Sequence, residues 1–242
     1  MFREIFLDGS PIPVGLTAGN LVHGLRVDGG TSGSLEDQGR RVFEAMARSI
    51  GAASGTLDNV AHVSLFFAEP RPGVTALNPL WVATFPKDDD RPTYKFMTAP
   101  LGPGCLVHLE YFAVLGARRR VLAVPGVAHT NPIPLGVAIG DYLFSSRILP
   151  YDPATGAPGS DAPSQARLVF ANAAALLRAG GMSWRDVVQG RAFLADSADA
   201  DLVKAPWAQA AGAAAPLRLE TYVGAPALRI MLELFAQAGG AT

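Results

Sequence analysis

The feature that most constrains this chain is an order of motifs that occurs twice. Pro11-Ile12-Pro13-Val14-Gly15 returns as Pro132-Ile133-Pro134-Leu135-Gly136, and at the same offset Gly19 meets Gly140 and Arg26 meets Arg147. The offset then drifts by a few residues, as loop insertions make it do, but the order holds. Gln38 and Val42-Phe43 answer to Gln165 and Val169-Phe170, Trp81 to Trp207, and Leu109-Glu110-Tyr111-Phe112-Ala113 to Leu232-Glu233-Leu234-Phe235-Ala236. Similarity between two alanine-rich helices would give matches in one element, whereas these run through strands, helices and turns, which reads as duplication of one unit. A chain of 242 residues has room for two domains of roughly 120 residues each. The joint is expected near residues 116–125, giving domains 1–117 and 118–242, with Arg118 to Arg120 as a solvated linker.

Hydrophobic periodicity outlines each copy. In the second, residues 142–148 read as a strand, and Asp152-Pro153-Ala154-Thr155-Gly156 as a turn, whose proline and glycine suit turn geometry. Residues 165–179 carry apolar side chains at helical spacing and stop at Gly180-Gly181; a strand follows at 187–194, a helix at 199–211 and strands at 217–222 and 228–236. The first copy repeats this as a helix at 35–53, a strand at 60–67, a helix at 76–85 and strands at 94–98 and 106–114. The expected architecture is α+β: two tandem domains, each a mixed β-sheet with two helices on one face. The uncovered sheet face needs a partner surface, so homo-oligomeric assembly is expected, a trimer of tandem chains being the simplest closed arrangement.

Composition narrows the function classes. The chain is 49% hydrophobic and 17% charged, and its apolar stretches break well before the ~20 residues a membrane span needs. With a net charge of -1 and Lys and Arg spread over both halves, nothing builds the one-sided basic field of a nucleic-acid binder. The single cysteine, Cys105, excludes an intrachain disulfide and reads as a small buried hydrophobe; with a start that lacks a long apolar core, it points to the cytoplasm. His23, His62 and His129 have no companion ligands at metal-binding spacing, so neither metal nor cofactor is expected.

The second copy resembles a known family. Gly140-Asp141-Tyr142-Leu143-Phe144-Ser145-Ser146, Pro150-Tyr151-Asp152-Pro153-Ala154-Thr155-Gly156, Gln165, Val169-Phe170-Ala171-Asn172, Gly181-Met182-Ser183, Pro216-Leu217-Arg218 and Leu232-Glu233-Leu234-Phe235-Ala236 are similar to the signature of the Rid family, also called YjgF/L-PSP. The likeness spans residues 121–238 and is weaker in the first copy. It implies a chorismate-mutase-like fold and a hydrolase that deaminates small reactive carboxylate-bearing enamines or imines to a ketoacid and ammonia. An arginine's planar fork suits a substrate carboxylate, and the family's Pro-x-Arg arginine falls on Arg218. The resemblance also places Ser146 in the substrate cleft.

Three departures bear on activity. Arg147 and Arg26 stand where the family has a glycine after the serine; they either bind a second anionic group of a larger substrate or pair with carboxylates at a domain interface. The terminal strand of the family carries two glutamates two residues apart, and this chain keeps the second, Glu233 and Glu110, with Met231 and His108 at the first. Alternation puts 108 with 110 and 231 with 233 on one face, so Glu233, Glu110 or His108 could handle a proton, whereas Met231 cannot. In the first copy Asp90-Arg91-Pro92-Thr93-Tyr94-Lys95 offers Tyr94 or Lys95 at the arginine position, depending on the direction of counting, so that copy reads as a degenerate carboxylate binder. Two alternatives to the deaminase stay open: a non-catalytic ligand-binding or regulatory protein, and chorismatase-like or other hydrolytic chemistry on a related scaffold.

Overall fold

A computed structural model describes residues 2–7, 10–68, 76–212, 214–221 and 227–239, with the side chain of Arg26 outside the described set. It divides into two compact units, Met1–Arg120 and Val121–Thr242. In the first, β1 (Phe2–Ile5), β2 (Gly15–Ala18), β3 (Leu21–Asp28), β4 (Val60–Phe67), β5 (Thr93–Thr98) and β6 (Val107–Val114) form one six-stranded sheet in the order β1-β2-β3-β6-β4-β5. The second sheet contains β7 (Arg120–Leu122), β8 (Gly136–Ile139), β9 (Tyr142–Ser145), β10 (Val187–Leu194), β11 (Leu217–Thr221) and β12 (Ile230–Gln237). Its order, β7-β8-β9-β12-β10-β11, repeats the first strand for strand. In each sheet one pair is parallel, β4 with β5 and β10 with β11, and a parallel pair demands a crossover. Helices α2 (Asn78–Thr84) and α4 (Asp201–Ala211) lie in those crossovers.

The long helices, α1 (Leu35–Ala52) and α3 (Ala162–Ala179), start where side chains can satisfy the free N–H groups of a first turn. Ser34 Oγ accepts from Asp37 N at 3.2 Å while Asp37 Oδ2 accepts from Ser34 N at 2.9 Å; Asp161 and Ser164 form the same reciprocal cap. At the other end of α3, Gly181 takes φ +75°, the left-handed geometry that lets Met182 N return to Leu177 O at 2.8 Å. The buried side of the second sheet, with Leu232, Leu234 and Ala236, packs on Val169, Leu176 and Leu177 of α3.

Two pairs matched in the sequence do matching work. Gln38 and Gln165 are both buried: Gln38 Nε2 donates to Gly104 O and its Oε1 accepts from Leu106 N, while Gln165 Nε2 donates to Gly159 O and Ala227 O and its Oε1 accepts from Arg229 N. Each amide ties its helix to the loop before the last strand, a site where an apolar residue would leave backbone groups unpaired. Trp81 and Trp207 are likewise buried, Trp81 stacked on Tyr94 and Trp207 donating its indole N–H to Ala215 O.

The arginine run is not a solvated linker. Arg118 pairs with Asp90 at 2.9 Å on the surface, but Arg119 is buried, donating to Asp90 O at 2.6 Å and to Leu57 O and Val60 O at 2.5 and 3.2 Å, with its guanidinium 5.2 Å above the Phe85 ring. Sequence alone could not show that three carbonyls converge there. Arg119→Ala is expected to lower unfolding free energy by about 3 kcal/mol, because those carbonyls lose their donor without gaining water. Urea denaturation reads this directly, and Arg118→Ala should leave the midpoint almost unmoved. Cys105 also departs from expectation: it is half-buried, with Sγ donating to Val107 O at 3.4 Å.

Candidate active site

Strand pleating sorts the predicted residues onto the helix-free face of each sheet. In the second unit Arg191 on β10 lies between Glu233 on β12 and Arg218 on β11, its Cα partners in register. The next row toward the end of β10 is Met231, Phe193 and Glu220. Arg191 Nε bonds Glu220 Oε1 at 3.1 Å, bridging the two rows. Arg218 is exposed on the edge strand, and among the described residues no carboxylate pairs with it.

Arg147 reaches this face through a β-bulge. Phe144 pairs with Phe235 and Ile148 bridges to Leu232, so Ser145, Ser146 and Arg147 span the length of only two β12 residues, Glu233 and Leu234. The extra residue breaks the ladder and re-aims a side chain. Ser145 Oγ accepts from Leu234 N at 2.9 Å, Ser146 is fully buried, and the Arg147 guanidinium sits 4.2 Å from the centre of the Phe193 ring. A cation over an aromatic face is attracted by the ring's negative centre. In the first unit β3 slips against β6 between Gly24 and Val27, which sets Leu25 and Arg26 opposite Glu110. The glycine expected by family resemblance is thus replaced, at Arg147 and Arg26, within equivalent bulges; the Arg26 side chain lies outside the described residues.

His129 stands behind this corner. It is half-buried as a residue but its Nε2 is enclosed, and burial, reinforced by the Arg147 charge and opposed by a hydrogen bond with the Arg147 backbone, lowers its pKa from 6.5 to about 4. The unfolded chain takes up this proton near pH 6.5 and the native one only near 4, so stability is complete above 6.5 and declines as pH falls between the two values. The full loss is about 3 kcal/mol. Urea midpoints at pH 7.5 and 4.5 should show this drop in the parent protein and a smaller one in His129→Gln.

The first unit supplies a different chemistry at the same places. Ser64 on β4 lies between Glu110 on β6 and Lys95 on β5, so the register gives Lys95, not Tyr94, the place that Arg218 has in the second unit. Tyr94 instead turns to the helix side, buried and stacked on Trp81 with ring centres 4.3 Å apart, where burial raises its pKa far above 10. Lys95 is buried on the helix-free face. His108 Nε2 is 3.6 Å from Glu110 Oε1, with its ring edge-on to Phe66. His23 stacks on Phe112 at 4.2 Å; burial lowers its pKa and the Glu110 charge opposes that shift. Among the described residues no cluster of His, Cys, Asp or Glu could hold a metal ion, and no helix is long and apolar enough to cross a membrane.

Of the predicted residues, the structure therefore gathers Arg218, Glu233 and Arg147 on one sheet face, and His108 and Glu110 on the face of the other sheet. Sequence reasoning missed Arg191, Glu220 and Phe193. Their signal was available: a lone arginine in the apolar run Gly190-Arg191-Ala192-Phe193-Leu194 shares a pleat with Phe193.

The family described as Endoribonuclease L-PSP matches residues 128–238 by its sequence model. A RutC family protein of Pyrococcus horikoshii is 30% identical over 107 residues, which cover 44% of this chain and 85% of that protein. The chain belongs to the Rid (YjgF/L-PSP) family. A second Rid relative, the 2-iminobutanoate/2-iminopropanoate deaminase of Salmonella typhimurium, is 34% identical over 80 residues, covering 33% of this chain and 62% of the enzyme. The chain thus spans less than two thirds of that enzyme's length. Among solved structures, the YjgF gene product of E. coli is 25% identical, with a TM-score of 0.44 over 49% of this chain and 98% of its own. The Rid match by sequence model falls within the second unit, the one that carries Arg218.

Proposed function

We propose that the second unit hydrolyses a small, reactive, carboxylate-bearing enamine or imine to a ketoacid and ammonia. The observation that carries this reading is the row Glu233, Arg191, Arg218 on the helix-free face of one sheet. Adjacent strands lie ~4.8 Å apart, so the outer two residues of the row begin roughly 10 Å apart and their side chains can close on a short acid between them. Arg218 clasps the carboxylate with its fork, oriented by the Arg191–Glu220 pair alongside. Glu233 orients water toward the C=N carbon; the water oxygen bonds to carbon and a proton passes to nitrogen. The hydroxyl proton of the resulting carbinolamine then passes to nitrogen as the C–N bond breaks, releasing ammonia and leaving the carbonyl. Met231, at the family's first glutamate position, carries no exchangeable proton, which leaves this task to Glu233. The 34% identity to a protein named for deaminating 2-iminobutanoate and 2-iminopropanoate supports the substrate class.

The test is to generate 2-iminopropanoate and 2-iminobutanoate freshly and follow ketoacid formation with and without protein. Acceleration by wild type that Arg218→Ala lacks is expected. Wild type that leaves both rates at the buffer value would overturn the deaminase reading and favour a ligand-binding role.

A further inference from the structure

The first unit replaces the Arg191 of the second with a hydroxyl that belongs to a relay of three buried side chains. Ser64 Oγ lies 3.1 Å from His62 Nε2, and His62 Nδ1 lies 2.8 Å from Thr93 Oγ1. Thr93 Oγ1 is also 3.0 Å from Ala61 O, an oxygen that can only accept. The threonine's one proton therefore goes to Ala61 O, and toward His62 it acts as an acceptor. A neutral His62 must then carry its proton on Nδ1, which leaves Nε2 with a lone pair aimed at Ser64 Oγ. The direction of these three bonds follows from one backbone carbonyl, and it is the direction in which an imidazole activates a serine.

The surroundings fit that chemistry. Ser64, His62 and Thr93 are 6%, 5% and 0% exposed, so the relay is held out of bulk water, where a proton transfer and a nearby charge both count for more. Lys95 is the in-register neighbour of Ser64 on the same pleat, so a carbonyl attacked by Ser64 would lie beside the lysine's strand. Nothing in this arrangement depends on the reaction assigned to the second unit, whose equivalent positions hold Gln189, Arg191 and Arg218.

We infer that Ser64 is a nucleophile activated by His62, with Thr93 as its positioning residue, and that the first unit accepts the acyl group of small esters. In the forward step Ser64 Oγ bonds to the carbonyl carbon and its proton passes to His62 Nε2. The ester C–O bond then breaks, and the same proton leaves with the alcohol. In the return step His62 takes a proton from water, the hydroxide attacks the acyl carbon, and the proton returns to Ser64 as the carboxylic acid departs.

The experiment treats the full chain with methanesulfonyl fluoride, in which the S–F bond is exchanged for an S–O bond to an activated serine and fluoride leaves. Intact mass and peptide mapping then locate the label, and p-nitrophenyl acetate turnover is followed in parallel. A single sulfonyl group on Ser64 is expected, lost in Ser64→Ala and formed at least 100-fold more slowly in His62→Gln. Thr93→Val, which keeps shape but cannot accept from Nδ1, should slow labelling about tenfold or more. Circular dichroism and the thermal midpoint of each variant separate lost reactivity from lost fold. Labelling of another residue, no labelling of wild type, or equal rates in folded His62→Gln would each overturn the inference.

Discussion

Replacing Arg218 with alanine is expected to lower kcat/KM for 2-iminopropanoate by about 100- to 1000-fold while leaving the fold intact. Under the proposed reaction the guanidinium makes two charge-assisted bonds to the substrate carboxylate. Each is worth about 1.5–3 kcal/mol, and exposure on an edge strand keeps the sum toward the lower end. A loss of about 3–4 kcal/mol is the stated rate factor. The fold should tolerate the change, since Arg218 is exposed and no carboxylate among the described residues pairs with it. Arg218→Lys restores charge but not the two-pronged geometry, so it should recover only part of the activity. Steady-state kinetics on all three proteins check this, and an alanine variant as fast as wild type would remove Arg218 from the site.

Gly190→Ala is expected to unfold the second unit or lower its melting temperature by about 10 °C or more, an overpacking cost of about 3 kcal/mol or above. A Cβ built at Gly190 lies 2.1 Å from Trp207 Cη2 and 2.5 Å from Cζ3, far inside contact distance. The indole cannot retreat freely, because its N–H is bonded to Ala215 O at 2.8 Å and its face meets Trp184 edge-on. Relief must come from the backbone of β10, the strand whose next residue is Arg191. Calorimetry gives the shift, and combining Gly190→Ala with Trp207→Leu should recover part of it by vacating the space. A double variant no more stable than Gly190→Ala would show that the clash is not the cause.

How much of the site was legible depended on range along the chain. Alternation fixed that Glu233 shares a face with Met231 and Glu110 with His108, because that relation lies within one strand. Whether Tyr94 or Lys95 replaced the arginine was undecidable by counting, since proline and glutamate gave different answers. The parallel pairing of β4 with β5 decided it, aligning Lys95 with Ser64 and turning Tyr94 to Trp81. The Ser64, His62 and Thr93 relay was invisible for the same reason: His62 and Ser64 are neighbours on one strand, but Thr93 arrives on another, and its role depends on a carbonyl of the first. Arg119 looked like surface because a charged run usually is; only converging carbonyls made it interior.

The sequence by itself determined what depends on local and periodic information. It carried the repeated order of motifs, the helix that stops at Gly180-Gly181, the strands at Val60–Phe67 and Val187–Leu194, and the α+β class. Tertiary structure decided which strands are neighbours and in what register, including the bulges that set Arg26 and Arg147 opposite glutamates. Those choices are set by non-local packing, in which a one-residue slip exchanges the two faces of a strand, so that the partners of Arg218, Lys95 and Ser64 exist only once both sheets are assembled.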